Sequence, residues 1–251
     1  MGESVMVGTG DLRQALSAVR VHASTDKEDP AYHRVRLQLG RQHVTVSATD
    51  RYTGALAIVS LWGDPPAGGY NLAAVELLPD DIAKVLAIFK GGKGTAGDGV
   101  SPEQLLRLEL FDDRLRITDC SGMIDGRALQ IPRLSADESA LVSVVQNIEQ
   151  MQRSQARGLD QMAVSGPFIA RFGEAAKVYG AALQFEGYRA GVFARCGESF
   201  LGYCVARELD RDRRERADTF SRDWSYRLPG LLAEANTIDG NLFAADAGPE
   251  L

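Results

Sequence analysis

Apolar and polar residues alternate along three neighbouring stretches between residues 35 and 58. The apolar positions are Val35, Leu37, Leu39, Val44, Val46, Ala48, Leu56 and Ile58. Side chains of a β-strand point alternately to its two faces, so each stretch predicts a strand with one buried face. Polar breaks at Gly40-Arg41 and Thr49–Gly54 predict turns, and the three strands therefore form a meander.

A helical period precedes this meander. Ser4–Thr9 alternates and predicts a short strand, and Asp11 is the expected helix cap. Apolar residues then recur at helical spacing, at Leu12, Ala15, Leu16, Val19 and Ala23. Arg13, Arg20 and His22 are expected to project away from this stripe. The first part of the chain is thus predicted as a strand, a helix and three strands.

The same order of elements then recurs. Residues 70–78 predict a strand, and Pro79 with two aspartates starts a helix. Its apolar stripe comprises Ile82, Val85, Leu86 and Phe89. Residues 105–111, 114–120 and 127–131 predict three further strands. The chain therefore contains an internal repeat of about 60 residues.

A third, later copy follows a break in this rhythm. Residues 135–160 are too few for a full repeat, and apolar residues between Leu141 and Met151 predict one helix there. Met162 then begins a strand and Pro167–Tyr179 a helix, with Ile169, Phe172, Ala176 and Tyr179 inward. Strands are predicted at 182–185, 188–196 and 200–206. Residues 208–251 are a charged tail, in which 208–227 predict a solvated helix or linker.

Four segments resemble the bacterial DNA polymerase sliding-clamp family. They are Val44–Ala57 with its Thr-Asp turn, residues 77–86 leading into the second helix, Met123–Arg127 before a last strand, and Phe200–Arg207 at the end of the third copy. The resemblance implies an α+β sliding-clamp fold built from strand-helix-three-strand repeats. It implies a complete clamp-like domain at 1–134, a shortened second domain at 135–207 and a tail at 208–251.

The resemblance also implies a DNA surface. In clamps the repeat helices line a central hole, where Lys and Arg neutralise phosphates without reading bases. The residues at these positions are Arg13, Arg20, Lys84, Lys90, Lys93, Arg171 and Lys177. Amphipathic surface helices in general also carry such residues. The implied function is a non-enzymatic processivity or accessory factor that encircles duplex DNA as a homo-oligomer.

The resemblance further implies a pocket for short peptides of DNA polymerases and other clamp-binding proteins. Aligning the Thr-Asp turn with the last strand assigns it to Thr49, Tyr52, Thr53, Gly54, Cys204, Val205 and Ala206. Thr53 and Gly54 stand where clamps usually have arginine and leucine. Asn241-Leu-Phe resembles the end of such peptides, so the tail either fills a pocket or is a plain disordered terminus.

Composition limits the other possibilities. The net charge of −6 excludes a generally basic nucleic-acid binder, but not basic residues gathered on one surface. The 251 residues include no long apolar run, which predicts a cytoplasmic protein without a membrane span. Cys120, Cys196 and Cys204 lie in strand-like runs and are expected to be buried thiols. No metal or cofactor is expected, because the three histidines lie in no metal-ligand spacing.

Two alternatives remain. Three repeats do not make whole two-repeat domains, so a ring needs either a hidden repeat in 135–160 or pairing between subunits. A clamp-derived adaptor or regulator that binds replication proteins without encircling DNA is the first alternative. The second is a small-molecule enzyme, for which the sequence offers no catalytic constellation. Gly91-Gly-Lys-Gly-Thr follows a helix and lacks the phosphate-loop spacing.

Overall fold

The computed structural model describes residues 3–63, 73–90, 104–135, 139–159, 162–188 and 191–245. These residues form two bodies, Met1–Arg207 and Glu208–Leu251. In chain order the elements are β1 (Glu3–Gly8), α1 (Thr9–Arg20), β2 (Val35–Leu39), β3 (His43–Thr49), β4 (Thr53–Ser60), β5 (Ala73–Leu77), α2 (Pro79–Ile88), β6 (Leu105–Leu110), β7 (Arg114–Asp119), β8 (Ala128–Pro132), α3 (Ser143–Arg153), β9 (Ala156–Arg157), β10 (Met162–Ala163), α4 (Gly166–Tyr179), β11 (Leu183–Tyr188), β12 (Gly191–Cys196), β13 (Phe200–Val205), β14 (Arg207–Glu208) and α5 (Arg211–Ala245).

The first two repeats exchange their opening strands. Repeat 1 contains β1, α1 and β2–β4, and repeat 2 contains β5, α2 and β6–β8. β1 pairs antiparallel with β6 of repeat 2, and β5 pairs antiparallel with β2 of repeat 1. Each repeat therefore supplies one strand to the sheet of the other, and neither sheet is complete without its neighbour.

Repeat 3, with β10, α4 and β11–β13, extends the sheet of repeat 1. β13 pairs antiparallel with β4, which gives an eight-stranded sheet in the order β5-β2-β3-β4-β13-β12-β11-β9. α4 lies beside α1, where the Gln14 amide donates a hydrogen bond to the Val178 carbonyl at 3.0 Å. The predicted repeats are thus joined into one layer of strands.

The two faces of the eight-stranded sheet are covered by different helices. On β13, Phe200 and Cys204 belong to the main core with α1 and α4. The alternate residues Leu201 and Tyr203 face α3 instead. α3 buries Val144, Ile148 and Met151 against this outer face, and each such side chain contributes about 1.5–3 kcal/mol by burial. We call the sides covered by α1 and by α3 the inner and outer faces.

Several boundaries differ from the sequence expectation. α1 begins at Thr9, so Asp11 lies in its first turn and is not its cap. A carboxylate there still interacts favourably with the positive end of the helix dipole. Tyr188 ends β11 and does not begin β12. Of the residues expected to point inward from α4, Phe172 is buried, whereas the fully buried alanine is Ala175 and not Ala176.

His22 is also placed differently from the expectation. It lies after the end of α1, is completely buried, and packs 4.9 Å from the Phe172 ring and 6.3 Å from Phe200. Burial lowers the His22 pKa to about 3, with a further lowering by the charge of Arg171. The imidazole is therefore neutral at physiological pH.

The cysteines are free thiols of unequal burial. Cys196 and Cys204 are buried in β12 and β13, and burial raises the pKa of both thiols. Cys120 follows β7 and is only half-buried. Cys196 and Cys204 therefore match the expectation of buried thiols, and Cys120 does so only in part.

The second body is the long helix α5. Its charged side chains pair along the helix, as Arg211 and Glu215 do at 2.9 Å, and Pro229 lies inside it. Phe220 and Trp224 are exposed, with ring centroids 6.3 Å apart. The side chains of Asn241, Leu242 and Phe243 lie outside the described residues. Among the helices described, none combines the length and apolar composition that a membrane span requires.

Candidate functional site

The Thr-Asp turn and the last strand of repeat 3 meet at the β4–β13 junction. Thr53 lies opposite Cys204, and Gly54 lies opposite Tyr203. The Val205 amide donates a hydrogen bond to the Tyr52 carbonyl at 2.8 Å. The structure thus brings together the two segments that the sequence assigns to a partner-peptide pocket.

The turn is held by its own side chains. One Asp50 carboxylate oxygen accepts hydrogen bonds from the amides of Tyr52 and Thr53, at 3.1 and 2.7 Å. The Thr49 hydroxyl donates to the Thr53 carbonyl at 2.7 Å, and Arg51 takes a positive φ of 79°. An aspartate that accepts from the amides that follow it stabilises a tight turn. The Thr-Asp signature therefore has a local structural cause.

The predicted pocket residues are divided between the two faces of the sheet. Thr53 and Cys204 are buried on the inner face, in line with Ala55 and Phe200. Thr49 and Gly54 lie on the outer face, on the same side of the sheet as Tyr203. Tyr52, Val205 and Ala206 lie at the rim of the junction, where the first two are exposed and Ala206 is half-buried.

Tyr203 fills the outer face of the junction. A Cβ atom added to Gly54 would stand 2.5 Å from the Tyr203 ring. The Tyr203 hydroxyl accepts a hydrogen bond from the Asn147 amide of α3 at 3.0 Å and lies 3.5 Å from the Thr49 hydroxyl. Tyr203 and α3 therefore occupy the space above the turn. The sequence predicts the helix but gives no sign of the surface that it covers.

α3 is also anchored by a buried ion-pair cluster that the sequence does not predict. The Arg34 guanidinium donates to Glu76 at 2.9 Å and to the Ser135 carbonyl at 2.8 Å. Arg36 and Ser139 donate to the other oxygen of Glu76, at 3.0 and 2.6 Å. Arg34 and Glu76 are each 2% exposed. These bonds attach the segment that leads into α3 to the edge of the sheet.

Two of the predicted DNA-facing arginines donate hydrogen bonds to other groups of the protein. Arg171 of α4 donates to Asp50 and, at 2.6 Å, to the Thr53 hydroxyl, and its side chain is 25% exposed. Arg13 of α1 donates to the carbonyls of Leu86 and Phe89 at the end of α2. These arginines fix the turn and the packing of the helices.

The remaining predicted DNA-facing residues differ in their surroundings. Lys84 pairs with Asp81 at 2.7 Å, which raises the Lys84 pKa, and Lys177 pairs with Glu174 at 3.4 Å. Arg20 is half-buried and Lys90 exposed, and neither has an ion-pair partner within the described part of the chain. Lys93 lies outside the described residues. Free cationic side chains on these helices are therefore fewer than the sequence suggests.

No protein-family model matches the sequence, and no curated protein matches it. Solved structures do. The DNA polymerase III beta subunit of Thermotoga maritima is 13% identical, with a TM-score of 0.53 over 84% of this chain and 66% of that one. The Bacillus subtilis sliding clamp is 11% identical, with a TM-score of 0.55 over 82% and 64%. The Borrelia burgdorferi beta subunit is 7% identical, with a TM-score of 0.56 over 82% and 64%.

The chain spans about two thirds of the length of these proteins. The predicted fold is confirmed: the chain has the α+β fold of the bacterial DNA polymerase III beta sliding clamps, in a form that is divergent in sequence and shortened.

Proposed function

We propose that this chain is a sliding-clamp-like accessory factor of a DNA polymerase, without enzymatic activity of its own. In this proposal several copies surround duplex DNA and tether a polymerase or a repair protein to it. The observation that carries the proposal is the arrangement of the repeats. α1 packs against both α2 and α4, and the sheets lie behind these helices in a layer that continues through β4 and β13.

The helices that cover the inner face carry the proposed DNA surface. Arg20, Lys84, Lys90, Lys93 and Lys177 would contact phosphates, with Arg13 and Arg171 holding the helices in position. The side chains of Lys84 and Lys177 are 64% and 75% exposed in their ion pairs, and water screens the attraction of an exposed lysine for its carboxylate. Exchanging these carboxylates for phosphates therefore costs little. Sequence-independent binding of this kind weakens as salt is added.

The proposed partner surface is the rim of the β4–β13 junction. Tyr52 stacks on Phe168 of α4 at 5.7 Å and leaves one ring face open. Val205 lies next to it through the backbone hydrogen bond to Tyr52. We expect an apolar peptide side chain to bind here, because Tyr203 and α3 fill the outer face beside Thr49 and Gly54.

Retention on circular DNA tests encirclement. The protein is dissociated by dilution and then concentrated in the presence of a nicked circular duplex, and the complex is filtered through a gel matrix in high salt. A topologically linked protein elutes with the circle and is lost once a restriction enzyme linearises the DNA. An oligomer that never elutes with the circle contradicts encirclement.

An adaptor that does not encircle DNA is the second candidate. The internal use of Arg13 and Arg171 and the net charge of −6 favour it. Such a protein would bind a polymerase or a clamp equally well with and without DNA. Immobilised partner proteins, tested with and without added duplex, separate the two candidates.

A further inference from the structure

Repeats 1 and 2 show how two repeats complete one another. Gly8, the residue before α1, pairs with Leu105, the first residue of β6. Reciprocally, Leu77, two residues before α2, pairs with Val35, the first residue of β2. The strand before each helix thus lies on the first strand after the helix of the other repeat. The exchange is reciprocal, so it has the form of a two-fold relationship.

Repeat 3 has the same parts without a neighbour. β9 pairs with β11 only at Gly187 and Tyr188, and no other described strand lies on the edge formed by Leu183–Glu186. One side of β10 pairs with β14. In repeat 1 the corresponding side of β1 forms a single bridge, between Val7 and Leu61. The second side of β10 is unpaired within the described ranges. An opening strand and its matching edge are therefore both free.

We propose that repeat 3 of two copies of this chain pair about a two-fold axis, each completing the other as repeats 1 and 2 do. β10 of one copy would lie antiparallel on β11 of the partner. A second copy is the specific occupant because repeats 1 and 2 of every chain have already used their strands on one another. Among the strands that the structure describes, those of another repeat 3 are the ones that offer both the strand and the edge.

The register follows from the first domain. In both of its repeats a buried residue of the opening strand, Val7 or Leu77, lies opposite a buried residue of the other repeat, Leu106 or Val35. In repeat 3, Val164 and Leu183 both pack on the main core, whereas Ala163 and Gln184 are exposed. Directly opposed residues of paired strands share a face of the sheet, so Val164 would lie opposite the partner's Leu183, and Ala163 opposite the partner's Gln184. Residues 162–164 would cover three of the four positions that β9 leaves open on Leu183–Glu186.

The exposed side of α4 supports the same contact. In repeat 1, Arg13 lies five residues after the cap and reaches α2. The equivalent residue of α4 is Ala170, which is exposed together with Gly173. A Cβ atom at Gly173 would meet no atom within 4 Å. Small side chains at these positions allow the backbones of two α4 helices to approach closely.

Three repeats per chain do not make whole two-repeat domains, and the pairing of two chains removes this mismatch. Two chains would form an arc of three complete domains, with repeat 2 and its β8 edge at both ends. The inference extends the proposed function, which needs several copies around DNA. The pairing itself is measurable in the absence of DNA, so the two can fail separately.

Disulfide crosslinking tests the register. Ala163→Cys and Gln184→Cys are introduced together in a chain carrying Cys120→Ser, which removes the half-buried thiol. Opposed residues of antiparallel strands have Cα atoms about 4.5–5.5 Å apart, within the range that a disulfide spans. We expect a two-chain species on a non-reducing gel that disappears with reductant. The offset pair Ala163→Cys with Glu186→Cys should not form it.

Solution mass tests the helix contact. Ala170→Glu places two like charges against each other across the axis, and light scattering should show the particle mass halved. Ala87→Glu on the exposed side of α2 is the matched control and should leave the mass unchanged. Thermal melting by circular dichroism verifies that both variants are folded.

The pairing is overturned by the absence of the crosslinked species, or by a mass that Ala170→Glu leaves unchanged. If the crosslink forms but the protein is not retained on circular DNA, the pairing stands and the encircling function fails. If the protein is retained on circles without any crosslink, the function stands and the pairing fails.

Discussion

Gly54 lies directly opposite Tyr203 across the β4–β13 pair, and the Tyr203 ring occupies the space that a side chain at residue 54 would need. The ring cannot move aside freely, because Tyr203 is 5% exposed and its hydroxyl is hydrogen-bonded to α3. The absence of a side chain at residue 54 is therefore what lets α3 and Tyr203 close the outer face of the junction.

Gly54→Ala should destabilise the protein. The added Cβ would stand 2.5 Å from the ring, and forcing a methyl group into a packed site costs about 1–3 kcal/mol. Urea denaturation measures the loss. Gly10→Ala is the control, because Gly10 is an exposed helix residue with no atom near its Cβ position. It should stabilise by about 0.5–1 kcal/mol. Equal stability of Gly54→Ala and the wild type would contradict the close packing.

Tyr203→Phe should loosen α3 without unfolding the sheet. The change removes the acceptor of the Asn147 amide, and a hydrogen bond of this kind contributes about 1 kcal/mol. Hydrogen exchange should show faster exchange of the α3 amides, with the amides of β4 and β13 unchanged.

Tyr188→Phe is the matched control for this measurement. The Tyr188 hydroxyl donates to Glu186 of its own strand at 2.7 Å and not to α3. Its removal should leave α3 protection as it is. If both variants changed α3 exchange equally, the Asn147–Tyr203 bond would not be what holds the helix.

Local sequence patterns predicted much of the fold, because the strands and helices of each repeat depend on residues that are close together in sequence. The alternation of β2 to β4 and the helical period of α2 depend on neighbours a few positions away. The Thr-Asp turn was predictable for the same reason, since Asp50 bonds to amides two and three residues ahead. These features needed no knowledge of distant contacts.

The features that sequence reasoning missed depend on distant partners. Arg34 occupies a polar position beside a predicted strand, and only the exchange of β5 onto β2 brings Glu76 to it. The apolar stripe of α3 predicts that one face is buried but not against which surface. His22 is buried because α4 packs over the end of α1, a contact between repeats 1 and 3.

His22 should make stability depend on pH. Its pKa is about 3 in the folded protein and 6.5 unperturbed. The unfolded chain therefore binds more protons between these values, and stability falls as the pH drops below 6.5. The loss approaches about 1.4 kcal/mol per pH unit, or about 2 kcal/mol at pH 5. Urea denaturation at pH 7 and pH 5 measures it.

His22→Phe should remove this part of the pH dependence, because an apolar ring cannot be protonated and its neighbours are phenylalanines. His43→Gln serves as the control, since His43 is a half-buried strand residue. It should keep the slope of the wild type. A slope that persists in His22→Phe would mean that other groups cause it.

Glu76→Gln should destabilise strongly. The change neutralises the 2% exposed carboxylate that pairs with Arg34 and Arg36, and breaking a buried ion pair from one side costs about 3–5 kcal/mol. Glu149→Gln removes an ion pair with Arg153 whose side chains are 59% and 78% exposed, and should cost less than about 1 kcal/mol. Chemical denaturation of the two variants gives the comparison. Similar losses in both would contradict a buried role for Glu76.

Replacing Arg20 and Lys90 together with glutamine should weaken DNA binding and reduce its dependence on salt. Each phosphate contact to duplex DNA contributes about 0.9 to the slope of log affinity against log salt concentration. Two lost contacts should therefore lower the slope by roughly 1.8, measured by fluorescence anisotropy with a duplex of arbitrary sequence. Arg153→Gln is the control, because α3 lies on the opposite face of the sheet. A slope unchanged in the double variant, or lowered equally by Arg153→Gln, would contradict the inner face as the DNA surface and favour the adaptor.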